Sequence, residues 1–421
     1  MTRPRNRSDL RSNRPFMVLL AARTISMGGF VFAPVALAFG ILDLEGGNEW
    51  WISAVLGCQL VPEAALALAG GVVADRYPRA RVLQAGLAAA GVGWFAIGWM
   101  MVSGFAPLWL MCLAAAFAGV ASSLVYPALT GIIPDLVPSL QLQQANAWLG
   151  MGTAVARLAG LVAGGAVVVA VGGGWAMVFA AALYIGAGAL ALGLPIVKDS
   201  LVPAENALRQ LAEGWREVKS RQWLWVVIAQ FGLMVMALEA LIGVLGPLLA
   251  QRELTGAIVW GSTPLPGKAV WTLILVGQGV GATLGVVVSL RWRPQRPILA
   301  GAVFTVFAAG PPLLLGLGAH AWVVVGSAAL MGVGFEVFNV LYMTTLQNEI
   351  PPHLLSRVAA YDAFGSLVLA PLGAVIAAPA AVWLGVRPAI TWTGLLILAV
   401  TLATICAPGV RRLRVRPPRL P

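Results

Sequence analysis

Stretches of about 20 mostly apolar residues, the length a helix needs to cross a bilayer, recur along this 421-residue chain from one end to the other. They fall near 16–41, 50–73, 82–103, 106–130, 145–171 and 174–197, and again near 223–250, 269–290, 297–318, 320–346, 356–383 and 388–408. In hydrocarbon a backbone must satisfy its own hydrogen bonds, so runs of this length are helices packed side by side. Glycine, proline or charge separates them: Asp43 to Glu49, Asp75 to Arg81, Gly104 to Pro107, Pro134 to Pro138, Gly172 to Gly174. Composition agrees, with 60% hydrophobic residues and only 10% charged, against about 25% charged in a soluble domain. The expected fold class is an all-α integral membrane protein with twelve transmembrane helices.

A net charge of +11 could point to a polyanion, but the basic residues sit in short clusters between apolar runs. Membrane topology accounts for that pattern, because Lys and Arg gather on the cytoplasmic side. With the N-terminus inside, the cytoplasmic segments hold five N-terminal arginines; Arg76, Arg79 and Arg81; Lys198, Arg209, Arg216, Lys219 and Arg221; Arg291, Arg293 and Arg296; Arg357; and the basic tail from Arg411 to Arg419. The outer segments hold only Arg252, Lys268 and Arg387. Losing one helix in mid-chain would scramble this asymmetry. Both termini are therefore expected in the cytoplasm, and the first helix is expected to stay uncleaved, because Arg23 interrupts any signal-peptide core.

The chain divides into residues 1–197, a polar linker at 198–222 and residues 223–421, with a basic tail. In the linker, Leu208, Leu211, Trp215 and Val218 recur at helical spacing between Arg209, Glu213, Arg216 and Glu217. This predicts an amphipathic helix, lying on the membrane surface or simply solvated. The two halves repeat one another. Gly119-Val120 through Pro138 aligns without gaps on Gly332-Val333 through Pro351; Leu142 then matches Leu355, and Gly152 matches Gly365. Six helices per half give both halves the same orientation, the parallel-repeat arrangement with a site near the midplane.

The sharpest motif, Gly70-Gly71-Val72-Val73-Ala74-Asp75-Arg76-Tyr77-Pro78-Arg79-Ala80-Arg81, lies between the second and third helices. Read from its residues, it is a tight turn with Asp75 placed to cap or pair at a helix end, and arginines suited to carboxylates and helix C-termini. The motif resembles the signature loop of the major facilitator superfamily, with Pro78 where that signature usually has glycine. Arg23-Thr24-Ile25-Ser26, Pro134-Asp135-Leu136-Val137-Pro138, Gln144-Ala145-Asn146-Ala147, Gly214-Trp215-Arg216-Glu217 and Phe338-Asn339-Val340-Leu341 resemble the branch typified by macrolide-efflux and enterobactin-export proteins. The resemblance implies two six-helix halves alternating between inward and outward access, usually exporting small molecules against proton entry. It also implies that Gly71, Asp75, Arg76 and Arg79 form a conformational latch. In the fifth helix, Leu161 stands in place of the proline that the superfamily's exporters often carry in G-x-x-x-G-P-x-x-G-G. Gly160-x-x-x-Gly164, and Gly277-x-x-x-Gly281-x-x-x-Gly285 in the eighth helix, are small-residue faces that let helices approach closely.

Ionisable residues within membrane helices are costly and functional by default. Glu63 precedes Asp75 by three turns, about 18 Å into the bilayer at 1.5 Å per residue, and Arg157 and Glu336 sit at similar depth. Glu239 lies nearer the outer side. These four are the candidates for proton coupling and ion pairing, with Glu336 the favoured partner of Arg157. A lone carboxylate in apolar surroundings holds its proton, and an arriving guanidinium displaces it. Arg23, Phe338, Asn339 and Tyr342 are candidates for a substrate cavity.

Cys58, Cys112 and Cys406 each lie in an apolar run, and the histidines His320 and His353 are far apart in sequence, so no disulfide framework, metal site or cofactor is expected. Gly261 to Lys268 misses the spacing and hydroxyl of a phosphate loop. A membrane enzyme would need a catalytic cluster that the sequence lacks, and the two-half repeat favours alternating access over a channel. The expectation is a proton-coupled exporter of a small amphipathic organic compound, with a siderophore or metabolite carrier of other coupling or direction as the alternative. Its expected partners are substrate, protons and the lipid bilayer, not nucleic acid, and it is expected to act as a monomer. A cysteine introduced at position 210 should resist an impermeant thiol reagent applied to intact cells; labelling there would overturn the orientation.

Overall fold

The computed structural model describes residues 10–138, 141–196, 207–260, 263–292 and 294–414, though not the side chains of 67–76, 126, 130, 131, 134, 142–144, 146, 147, 154, 207–212, 260, 290, 291, 347, 352, 353, 355–357, 359, 360 and 363. Long helices follow the apolar runs: α1 (Arg14–Leu42), α2 (Glu49–Arg76), α3 (Arg79–Ser103), α4 (Leu108–Leu136) and α5 (Leu142–Ala191). The last holds two spans. It bends at Gly172, where φ is 86°, a conformation that side chains with a Cβ rarely adopt. The predicted break at Gly104 is likewise a left-handed glycine, closing α3 at φ 74°.

In the second half come the linker helix α6 (Ala207–Ser220), α7 (Gln222–Glu239), α8 (Gly246–Glu253), α9 (Gly267–Arg291), α10 (Pro297–Phe304), α11 (Gly310–Gly316), α12 (Ala321–Glu349), α13 (Pro352–Leu367), α14 (Ala370–Leu384), α15 (Val386–Cys406) and α16 (Pro408–Arg412). Several pairs are single spans with a local change of winding. Between α7 and α8, Ala240–Leu245 is π-helical. Pro247, in the first turn of α8, has no N–H to donate to the preceding turn, and the ladder widens just before it. Between α10 and α11 the chain tightens to 3₁₀ over Thr305–Ala309, ahead of Pro311 and Pro312. A two-residue antiparallel ladder, β1 (Val259–Trp260) on β2 (Thr263–Pro264), links α8 to α9. Among the described residues, ten helices are long and apolar enough to span a membrane. With α5 counted as two and α2 included, the twelve-helix membrane fold is present.

The chain forms two compact units: residues 1–36, 58–167 and 171–202; and residues 37–57, 168–170 and 203–421. In the first, the small face of α5 meets α1, since a Cβ on Gly160 would strike the Gly28 carbonyl and one on Gly164 the Phe32 ring. In the second, Gly277, Gly281 and Gly285 of α9 pack on α12 at Val325, Ala329 and Val333. Both faces do what small residues do between lipid-bathed helices, bringing backbones close enough for dispersion contacts.

The repeat also appears as paired contacts. Gly119 of α4 lies on the Gln59 backbone of α2, and its sequence match Gly332 of α12 lies on the Gln278 backbone of α9. Gly152 of α5 abuts Thr24 of α1, and its match Gly365 of α13 abuts Ile228 of α7. The same glycines thus seat the same helix pairs in each half.

The linker forms the predicted helix and docks on the second unit. Val218 is buried with Trp223 and Leu224 of α7, and the Trp215 ring lies 5.7 Å from that of Tyr361 on α13. Arg221 binds Glu217 at 2.7 Å, closing the end of α6.

Close packing at the α9–α12 crossing makes a direct test. Gly281→Val should lower the melting temperature of the purified protein by several degrees, because overpacking forces the helices apart. Gly326→Ala, on α12 with nothing within 4 Å of the added methyl, should leave it unchanged or slightly raised.

Candidate functional site

In the first unit the charged candidates lie on α1, α2 and α5. Glu63 is half-buried on α2 and accepts a hydrogen bond from the buried Gln59 Nε2, one turn earlier, at 3.1 Å. The preceding Pro62 sits inside the helix, where it cannot donate to the Cys58 carbonyl, so the backbone around Glu63 is short of one internal bond. Arg23 is half-buried on α1, and its carbonyl accepts from Ser26 Oγ at 3.1 Å. Arg157 on α5 is exposed.

Of the expected latch, the α2 backbone runs through Gly71, Asp75 and Arg76, whose side chains lie outside the described residues. Arg79 opens α3 and meets Asp135, near the end of α4, with Nη1 3.4 Å from both carboxylate oxygens. Each charge sits at the end of its own helix that disfavours it, the cation at an N-terminus and the anion at a C-terminus; the pair offsets both. Two segments read separately in the sequence, the signature loop and Pro134-Asp135-Leu136-Val137-Pro138, therefore meet. Asn13 adds a second tie, donating to the Leu136 carbonyl at 2.9 Å.

In the second unit, Glu336 is half-buried on α12, its Cβ against Gly285 of α9. Glu239 ends α7 where the π-helical turn begins, and its carboxylate lies over Gly243. Phe338 and Tyr342 stack with centroids 5.4 Å apart inside an aromatic cluster. Phe231 lies 4.7 Å from Phe338, and the Trp223 ring is edge-on to Tyr342 at 6.3 Å. Both Phe338 and Tyr342 are buried, while Asn339 is exposed.

Sequence reasoning passed over three features. Tyr342 donates its hydroxyl to Asp362 Oδ1 on α13 at 2.8 Å. Buried Gln230 of α7 donates to Thr305 at 2.9 Å and to Thr401 of α15 at 3.3 Å, joining three spans through polar side chains. At the end of the bundle away from the termini, Glu49 pairs with Arg252 at 3.0 Å and Asp43 with Lys268 at 3.2 Å. An acid within a span, as at Asp362, was the available signal for the first; the others depend on contacts between distant segments.

The two halves make matching glycine contacts, and charged residues lie inside the spans. Residues 14–368 match the Major Facilitator Superfamily profile. The chain belongs to that superfamily. It is 26% identical to Enterobactin exporter EntS of Escherichia coli (strain SMS-3-5 / SECEC), over 99% of this chain and 97% of that protein. The same figures hold for Enterobactin exporter EntS of Shigella boydii serotype 18 (strain CDC 3083-94 / BS512). Among solved structures it is similar in fold to a POT family transporter in complex with 5-aminolevulinic acid, with TM-score 0.70, 11% identity, and coverage of 93% of this chain and 95% of that one. The nucleoside transporter NupG gives TM-score 0.68 at 12% identity, over 96% of this chain and all of the other. The superfamily expected from the signature loop is thus established, and with it a multi-pass membrane transporter of small molecules.

In this transporter the Tyr342 ring and hydroxyl have separable roles. Tyr342→Phe keeps the stack on Phe338 and removes the bond to Asp362, and should cost about 1–3 kcal/mol. Tyr342→Ala also opens a cavity and should cost about 3–5 kcal/mol. Denaturation of the purified variants measures both; equal losses would mean the ring packing contributes nothing.

Proposed function

We propose that this transporter exports a small, amphipathic organic molecule (a drug, antibiotic or siderophore-like compound) from the cytoplasm by alternating access, driven by proton antiport. The observation that carries the export reading is the likeness, along essentially the whole chain, to proteins named as enterobactin exporters. The chain sits in the inner (cytoplasmic) membrane with both termini in the cytoplasm, in keeping with its basic clusters. It divides functionally into residues 1–197, a linker at 198–222 and residues 223–421.

Antiport needs a group that binds a proton in one state and releases it in another. Glu63 and Glu336 are the first candidates: each is half-buried in a span, with Gln59 one turn earlier on the same helix beside the former and Gly285 of the neighbouring α9 beside the latter. Arg157 supplies the charge that displaces the proton from Glu336, and Glu239, at the π-helical turn, is a further candidate. Such turns inside helices recur at functional sites. Asp75, Arg76 and Arg79, with Gly71, act as the latch at the terminal end, and the pairing of Arg79 with Asp135 supports a preorganised loop there. Arg23, Phe338, Asn339 and Tyr342 contribute to substrate binding; in this reading the aromatic cluster must open when substrate enters, because Phe338 and Tyr342 are buried.

The test is accumulation of labelled compounds, a catecholate siderophore and a lipophilic cationic drug among them, in cells with and without the protein, repeated with the proton gradient collapsed. Cells carrying the protein should accumulate less of the cargo, and the difference should vanish without the gradient. Glu336→Gln should abolish gradient-driven export while leaving downhill exchange largely intact. If Glu336→Gln and Glu63→Gln both export normally, neither carries the proton.

A further inference from the structure

The span Gln222–Glu253 changes its winding part-way along. Ala240–Leu245 is π-helical, and Gly246, just past it, donates its N–H to the Leu241 carbonyl, five residues back. The next residue is Pro247, which has no N–H. The Ile242 carbonyl therefore loses both donors that a helix offers: the residue four ahead bonds elsewhere, and the residue five ahead has nothing to donate. A carbonyl released in this way inside a membrane is costly unless another group meets it.

Glu239 stands at the start of the same turn. Its carboxylate reaches along the helix to Gly243: a Cβ there would lie 3.9 Å from Glu239 Oε2 and 2.9 Å from Leu56 Cδ1. Other carboxylates of the spans have a donor, Gln59 for Glu63 and the Tyr342 hydroxyl for Asp362. Among the described residues, no donor or cation meets the carboxylate of Glu239. A negative group within a span calls for a counter-charge.

A third polar group without a partner closes the turn. The Trp271 ring of α9 lies against Gly246, its Cη2 and Cζ2 edge standing where a Cβ would be. Trp271 is 1% exposed, and its indole N–H meets no acceptor. All of these residues belong to the second compact unit. Two of the groups are oxygens on one turn of helix and together carry a single negative charge; the third needs an oxygen to bind. A proton would satisfy the carboxylate alone, and an organic ammonium would leave the indole N–H without an acceptor. A divalent ion draws several carboxylates, and no group of three His, Cys, Asp or Glu that could hold a metal occurs among the described residues. Carboxylate, carbonyl and water are the ligands of a small hard cation.

We propose that the π-helical turn binds a sodium ion through the Glu239 carboxylate and the Ile242 carbonyl, with a water of the ion's shell accepting the Trp271 N–H. Carbonyls released where a transporter helix unwinds suit small cations in this way. The site goes beyond the proton antiport proposed above and depends on neither its direction nor its cargo. A proton on Glu239 excludes the ion, so the two compete for one carboxylate.

Equilibrium binding of radiolabelled sodium to the purified full-length protein, with no substrate and no gradient, tests the site. Saturable binding is expected, displaced by unlabelled sodium and not by choline or magnesium. Glu239→Gln should abolish it. Pro247→Ala should weaken it several-fold with Glu239 intact, because either helical register then gives the Ile242 carbonyl a donor. Trp271→Phe, which keeps a ring and removes the N–H, should also weaken it, and Gly326→Ala, with open space about the added methyl, should bind like the parent. Melting in choline chloride establishes that each variant is folded. Replacing choline by sodium at constant ionic strength should raise the melting temperature of the parent and not of Glu239→Gln, since an ion that binds only the folded state stabilises it. No saturable binding by the parent, or undiminished binding by folded Glu239→Gln, overturns the site. Equal displacement by choline overturns its assignment to sodium, and parent-like binding by Pro247→Ala overturns the part given to Ile242. Sodium binding in a protein whose export ignores the proton gradient upholds the site and overturns the antiport reading alone.

Discussion

Close approach of helix backbones through glycine is the interaction on which the rest of this structure depends. Lipid removes the hydrophobic drive between helices, since a leucine gains little by leaving one apolar medium for another. What remains is dispersion, which falls off within a fraction of an ångström. Gly277, Gly281 and Gly285 on α9, and Gly160 on α5, bring their partners to backbone contact, and Gly164 seats the Phe32 ring. The charged side chains are placed by these crossings: Glu336 lies where it does because Gly285 leaves room for its Cβ.

Duplication explains how one set of such contacts serves twice. Gly119 on Gln59 and Gly332 on Gln278 are the same crossing made in each half, as are Gly152 on Thr24 and Gly365 on Ile228. The charged groups do not follow the repeat. Glu63 on α2 and Glu336 on α12 have no matching carboxylate at the repeat-related position. A scaffold held by repeated small residues leaves polar positions free to diverge between the halves.

Winding changes are concentrated in the second unit. The π-helical turn at Ala240–Leu245 and the 3₁₀ stretch at Thr305–Ala309 both precede prolines. Thr305, in the latter, accepts the hydrogen bond from Gln230. The second change of winding thus begins at a polar side chain that binds a neighbouring span.

The spans were legible in the sequence because partitioning into lipid is a local, nearly additive property of about 20 consecutive residues. Gly104 and Gly172 marked breaks for the equally local reason that backbone geometry there needs no Cβ. The small-residue faces and the repeat could be read for the same cause, spacing along a single helix. Pairings could not. Asp43 and Glu49 read as loop punctuation, and Arg252 and Lys268 as exceptions to a topology rule, until folding brought segments more than 200 residues apart within 3.2 Å. Arg79 read as part of a loop signature, and only the packing of α3 on α4 supplied Asp135. Tyr342 looked like a lining residue, and tertiary structure buried it on Phe338 and gave its hydroxyl to Asp362. Hydropathy and spacing belong to single segments and survive without their neighbours; an ion pair or a buried hydroxyl has no meaning until two distant segments share a place.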